Sequence, residues 1–282
     1  VSAAAVVTES TSGVPAALCQ QLQIAVVPLW VVYGGRSYRD GVDVVPAEFY
    51  RWLQLGPPYP TTSAPSPADF LDAYRAAAER GATEVVALTL HAGLSAAWHN
   101  ARLAASDSPI PVHVVDTRTA AAAQGLLVAE AARRLQAGQD TARVLAWLAD
   151  ACRRVRLVAA VSDLRHLARS GRIPGVAAEL AGRAGLRPLF SLADGAIRPA
   201  GVARSPLGVR ARLRAGPAAD RSRARRLLVA VSHADAADEA ASLAADLHQL
   251  APDDLWVVPF TPVMAAHTGP GVVGVAWLAV DD

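Results

Sequence analysis

The chain reads as an α/β protein in two parts, and three features of its sequence predict this. Short apolar runs suited to buried strands alternate with helix-forming stretches through the first half, the pattern of a mainly parallel sheet covered by helices. At 282 residues the chain reaches the size at which a single core gives way to two. Beyond Ser162 the strands become shorter and arginine accumulates. The expected division is therefore 1–161 for an N-terminal domain and 162–282 for a smaller C-terminal α/β domain.

Taken in order, Val6-Val7 open a strand that runs into the polar loop Thr8 to Ser12, and Pro15 to Gln23 carries helix formers after a proline suited to a first turn. Ile24 to Val32 reads as a strand, Ala47 to Leu55 and Asp69 to Arg80 as helices, Val85 to Leu90 as a strand, Ser95 to Ala105 as a helix and Val112 to Val115 as a strand. Two Ala-rich amphipathic helices, Gln124 to Gln136 and Thr141 to Arg154, flank Gly138, and Leu157 to Val161 resumes the strand pattern. In the second part, strands are expected at Pro188 to Leu192, around Ile197, at Leu227 to Val231 and at Trp256 to Phe260, with a helix at Ala236 to Leu250. Arg204 to Arg226 holds eight arginines and reads as a solvated helix or loop.

Composition narrows the function. Every basic residue is arginine, so Schiff-base chemistry and the phosphate-loop lysine, which both need an ε-amine, are excluded. A net charge of +2 gives no case for a nucleic-acid partner. No apolar run reaches the roughly 18 residues of a membrane span, and Val1 to Glu9 lacks the marks of a signal peptide, so a cytoplasmic protein, not membrane-integral, is expected. Cys19 and Cys152 lack metal-ligand spacing and read as buried thiols; neither a metal nor a cofactor is expected.

Ligands of α/β sheets bind beyond the carboxyl ends of strands. The polar loops there are Thr8 to Ser12, Thr61-Thr62-Ser63, His91 to Ser95 and Asp116 to Thr119. Hydroxyls beside free helix N–H groups suit an anion, although each hydroxyl also suits a helix cap. The prolines of Pro60 to Pro67 fix an extended path that holds two hydroxyls before a helix start. His267 stands beside a Gly-Pro-Gly turn that permits close approach of backbone to a ligand, and Arg169 and Arg172 offer guanidinium groups at another turn. No nucleophile elbow, nucleotide fingerprint or His-Glu metal motif is present, so the residues alone point to a small ligand with an anionic head.

In their order these segments resemble the DegV family over essentially the whole chain. The family's Thr-Asp-Ser-Thr is similar to Thr8-Glu9-Ser10-Thr11, its Pro-Leu and Tyr-x-Asp-Gly to Pro28-Leu29 and Tyr38-Arg39-Asp40-Gly41, and its Thr-Ser-x-Pro-Ser to Thr62-Ser63-Ala64-Pro65-Ser66. Leu164 and Leu167 leading to Gly171-Arg172-Ile173, then Arg187-Pro188, Asp194-Gly195 and His267-Thr268-Gly269-Pro270-Gly271, continue the likeness. The resemblance implies an N-terminal three-layer α/β/α domain with a mainly parallel sheet, a smaller C-terminal two-layer α/β domain, and a long-chain fatty acid held between them.

It further implies a carrier, not an enzyme, that presents the acid to a separate ATP-binding fatty acid kinase subunit. The ligand-binding residues it implies are Thr62, Ser63, the loop residues Ala92, Gly93 and Ser95, and His267 with Thr268, while Arg172 would face the kinase subunit. One departure stands out: where the family has Ser-Ser-x-Leu-Ser-Gly-Thr, this chain has His91-Ala92-Gly93-Leu94-Ser95-Ala96-Ala97, so Ala92 replaces an expected hydroxyl and other donors, among them His91, would have to compensate. Two alternatives stay open. One is an enzyme working on an acyl or small carbonyl substrate with Ser95 or Ser10 and His267; the other is a family relative turned regulatory module.

Overall fold

The computed structural model describes residues 4–162, 164–171 and 186–281. Strand β1 (Ala4–Glu9) leads through a 3-10 turn and α1 (Ala16–Gln21) to β2 (Ala25–Val27), β3 (Trp30–Tyr33), β4 (Arg36–Arg39), α2 (Pro46–Gln54) and β5 (Thr61–Ser63). Then come α3 (Pro67–Glu79), β6 (Glu84–Thr89), α4 (Ala97–Ala105), β7 (Val112–Asp116), α5 (Ala121–Gln136) and α6 (Thr141–Arg154). The rest is β8 (Arg156–Ala160), α7 (Leu164–Ser170), β9 (Arg187–Ala193), β10 (Ala196–Ala203), α8 (Pro206–Arg221), β11 (Arg226–Ala234), α9 (Ala237–His248), β12 (Asp254–Pro259), α10 (Pro262–Thr268) and β13 (Val272–Val280).

The expected α/β class is the observed one. A four-stranded sheet runs in the order β2-β1-β6-β7 with every pair parallel. Alternation decides which helices cover it, since successive strand residues face opposite sides. Val7, Val85 and Ala87 pack on Phe70 and Tyr74 of α3 and Ala101 and Ala104 of α4, whereas Val6, Val86 and Leu88 pack on α5. A six-stranded mixed sheet, β10-β9-β8-β13-β11-β12, lies beyond α5. One face of it joins the α5 core through Leu228, Ala230, Ala276 and Leu278; the other, through Val229, Val231, Val273 and Val275, meets Val209 and Leu213 of α8 and Leu243 and Leu247 of α9. A small antiparallel sheet, β4-β3-β5, stands apart from both.

Helix α5 is the physical link. It reads as amphipathic in sequence, yet thirteen of its sixteen residues are buried. Packed between two sheets, it has no solvated face, and alanine lets both sheets approach it. Full burial of Leu126 and Leu127 contributes roughly 1.5–3 kcal/mol each. Gly125 has a further reason: a Cβ there would overlap the carbonyl oxygen of Ser12.

Three departures from the sequence expectation have simple causes. The expected strand Ile24 to Val32 is two strands in two sheets, because Pro28 has no N–H for a ladder and the chain turns there. Thr61-Thr62-Ser63, expected as a loop, is β5, paired with β3. The C-terminal apolar run, not assigned in sequence, is β13, at the centre of the second sheet and buried on both faces. Strand β8 pairs with β9 and β13 and so belongs to the second sheet.

Candidate functional site

The site begins with the placing of β5. Ser66 caps α3 through its hydroxyl, which accepts from the Asp69 N–H at 3.2 Å while the Asp69 carboxylate accepts from the Ser66 N–H at 2.7 Å. Trp30 of β3 donates to the same carboxylate, and Asn100 of α4 donates to the Pro65 carbonyl at 2.7 Å. The proline-rich segment is thereby tied at both flanks, and Thr62 is held on a paired strand opposite Val31.

Helix α10 brings His267 to it. Asp40 anchors the start of that helix: its carboxylate accepts from the Val263 N–H at 3.0 Å and from the Ser10 hydroxyl at 2.6 Å, and Ser10 in turn accepts from the Leu29 N–H. Burial pushes the Asp40 carboxyl above the ordinary carboxylate value, and these hydrogen bonds pull it part of the way back. The result is a 2.9 Å contact between Thr62 Oγ1 and His267 Nε2.

A second buried carboxylate, Glu9, fixes the loops above the first sheet. It accepts from the Thr11 N–H and hydroxyl, the Leu90 N–H and the Gln124 side-chain amide. Burial raises its pKa against those four donors. The sequence signal for it was a charged residue ending an apolar strand.

These parts surround a cavity of about 380 Å³, within the usual range of small-molecule sites. Thr62, Ser63, Ser95, His267 and Thr268 line it, as does Thr11. The Thr268 hydroxyl donates to the Met264 carbonyl and the Ser63 hydroxyl to the Ala64 carbonyl. Ser95 accepts from the Ala97 N–H, which leaves its own proton able to point at a ligand. Ala92 and Gly93 are not in the lining; Gly93 is exposed and closely approached by the His91 ring. Ser10, considered with His267 as an enzymatic pair, is directed to Asp40 instead. Arg172 lies outside the described residues.

The greasy wall escaped sequence reading. Leu157, Ala159 and Val161 alternate along β8 and its end, and the register sets Ala159 opposite Phe190 and Leu157 opposite Leu192, with Ile197 of β10 next to Leu192. This ladder runs from Val161, one step beyond the Ala160↔Val273 pair, down to Leu157. The four residue steps from Leu157 to Val161 cover about 13 Å. The strands were legible; their order was not, because it depends on which distant segments pair.

An apolar cavity between two sheets, with a hydroxyl and an imidazole meeting on its wall, defines a small-ligand-binding α/β protein. Residues 3–280 match the family model described as "Uncharacterised protein, DegV family", and the chain belongs to the DegV family. A DegV domain-containing protein of Streptomyces coelicolor is 36% identical over 273 residues, 96% of each chain. A solved structure described as fatty acid binding of a DegV family protein from Thermus thermophilus is 34% identical, covers 98% of this chain and 99% of its own, and superposes with a TM-score of 0.92. DegV of Bacillus subtilis, described as a fatty acid binding protein, is 26% identical with 99% and 100% covered and a TM-score of 0.88. Among the described residues no helix is long and apolar enough to cross a membrane.

Proposed function

We propose that this protein binds a long-chain fatty acid in the cavity between its sheets, with the carboxylate received by Thr62 and His267 and the tail laid along the β8–β9–β10 ladder. The observation that carries the reading is the meeting of Thr62 and His267 at 2.9 Å on the wall of an otherwise mainly apolar cavity. Hydroxyl and imidazole N–H groups donate to a carboxylate, with Ser95 as a further donor in place of the hydroxyl missing at Ala92. The tail supplies the affinity, about 0.8 kcal/mol for each methylene buried. The solved relatives described as fatty-acid-binding support the same ligand class.

The protein acts as a carrier in this reading, and the acid it holds is phosphorylated by a separate ATP-binding subunit that docks near Arg172. Native mass spectrometry of the purified chain identifies the lipid, and thermal melting with added palmitate or oleate measures its effect. Ligand at a hundred times its Kd stabilises by about 2.7 kcal/mol, which is several degrees. A chain that carries no lipid and whose melting is unmoved by any added acid would rule the reading out. The kinase step has its own check: acyl phosphate formed from ATP only when this protein and the ATP-binding subunit are both present.

A further inference from the structure

We propose that His91 and Arg118 form a clasp that keeps the acyl cavity closed and sets how fast its ligand leaves; this rests on the fatty-acid reading above. Three loops meet at the clasp: those following β6 and β7 of the first sheet, and the β9–β10 turn of the second. The His91 ring lies against two glycines. A Cβ on Gly93 would come within 2.7 Å of its Nε2, and one on Gly195 within 2.9 Å of its Cε1, so the ring occupies the space that side chains at both positions would fill. Its Nδ1 stands 3.3 Å from Asp116 Oδ2.

Arg118 makes the crossing between the sheets. Its carbonyl accepts from the Gly195 N–H at 2.7 Å, its Nε pairs with Asp194 at 2.9 Å, and its Nη2 donates to the Asp194 carbonyl. The Asp116 carboxylate accepts from the Arg118 N–H at 2.8 Å, so one acidic group serves both halves of the clasp. Arg118 and Asp194, neither a glycine, sit at φ +56° and +50°. Backbone held in that region clusters where a segment must be kept in one particular shape.

The position gives the clasp its role. Each of the three loops carries wall residues of the cavity within a few positions of the clasp: Leu90, Leu94 and Ser95 about His91, Ala120 after Arg118, and Leu192 and Ile197 on either side of the Asp194-Gly195 turn. Parting the turn from His91 and Arg118 therefore opens the ladder end of the cavity, while Thr62 and His267 at the polar contact stay where they are. The contacts are polar and partly exposed, with His91 and Asp116 side chains 22% and 24% accessible, as suits a closure that exchanges with solvent contacts when it opens.

The test is the dissociation rate of a fluorescent acid. The unaltered chain and a His91→Ala/Arg118→Ala variant are loaded with cis-parinaric acid and chased with excess serum albumin in stopped flow. The expected result is release about tenfold faster, with association faster as well, so that Kd moves much less than the rate. Release within about twofold of the unaltered rate from a folded variant overturns the proposal. Should the double variant fail to fold, Asp194→Asn removes the ion pair alone, and amide exchange at Gly195 reports whether the turn has loosened. Faster exchange there with faster release supports the clasp; faster exchange with unchanged release refutes it. No uptake by the unaltered chain is a different result, and it sinks the fatty-acid reading on which the clasp depends.

Discussion

Thr62 and His267, 205 positions apart in the chain, meet through a 2.9 Å contact between Oγ1 and Nε2. One sits on a strand of the small sheet, the other on a helix anchored by Asp40 of the same subassembly. Their separation in sequence means that neither can be placed by local structure, yet both line one cavity.

Removing either donor weakens binding. A hydrogen bond to a charged group contributes about 1.5–3 kcal/mol, so Thr62→Val and His267→Ala each lower the affinity for a fatty acid by roughly one to two decades. Because the two side chains touch, the double variant loses less than the sum. Isothermal titration of the three variants checks both points, and equal affinity in all of them would remove these residues from the site.

The ladder controls the tail. Ala159→Leu places a larger side chain beside Phe190 in the middle of the wall and shortens the accessible path, so shorter acids gain on longer ones among the lipids recovered by mass spectrometry. Leu157→Ala lengthens the path and shifts the mixture the other way, by about 0.8 kcal/mol for each methylene newly buried.

Gly125→Ala destabilises the fold, although the same change in an open helix stabilises by about 0.4–1 kcal/mol. Here the new methyl meets the Ser12 carbonyl, which is backbone and cannot rotate away. Overpacking of this kind costs about 1–3 kcal/mol, read as a lower urea midpoint with an unchanged slope.

The buried carboxyl of Asp40 makes a pH-dependent contribution of known sign. Its folded pKa lies above the ordinary value of 3.8, so the folded state holds the proton more tightly than the unfolded state. Stability from this group is therefore greatest below that value and declines as pH rises through the raised pKa. Asp40→Asn keeps an acceptor for the Val263 N–H and removes the titration. Relative to the unaltered protein, the variant gains stability as pH climbs from about 4, and urea midpoints at a series of pH values measure it.

The sequence by itself determined the α/β class, the alternation of most strands and helices, the family resemblance, and the residue types able to meet a carboxylate. These are local properties: a period of two or 3.6 residues, a proline that fixes an extended path, a hydroxyl before a helix. Only the tertiary structure decided that β8 lies between β9 and β13, that α5 has two sheets instead of solvent around it, and that Ala92 and Gly93 fall outside the cavity lining while Thr11 and the β8–β10 ladder fall inside it. The physical reason is that strand order and the meeting of Thr62 with His267 depend on which distant surfaces bury each other. That is settled by the free energy of the whole core, and no short window of residues encodes it.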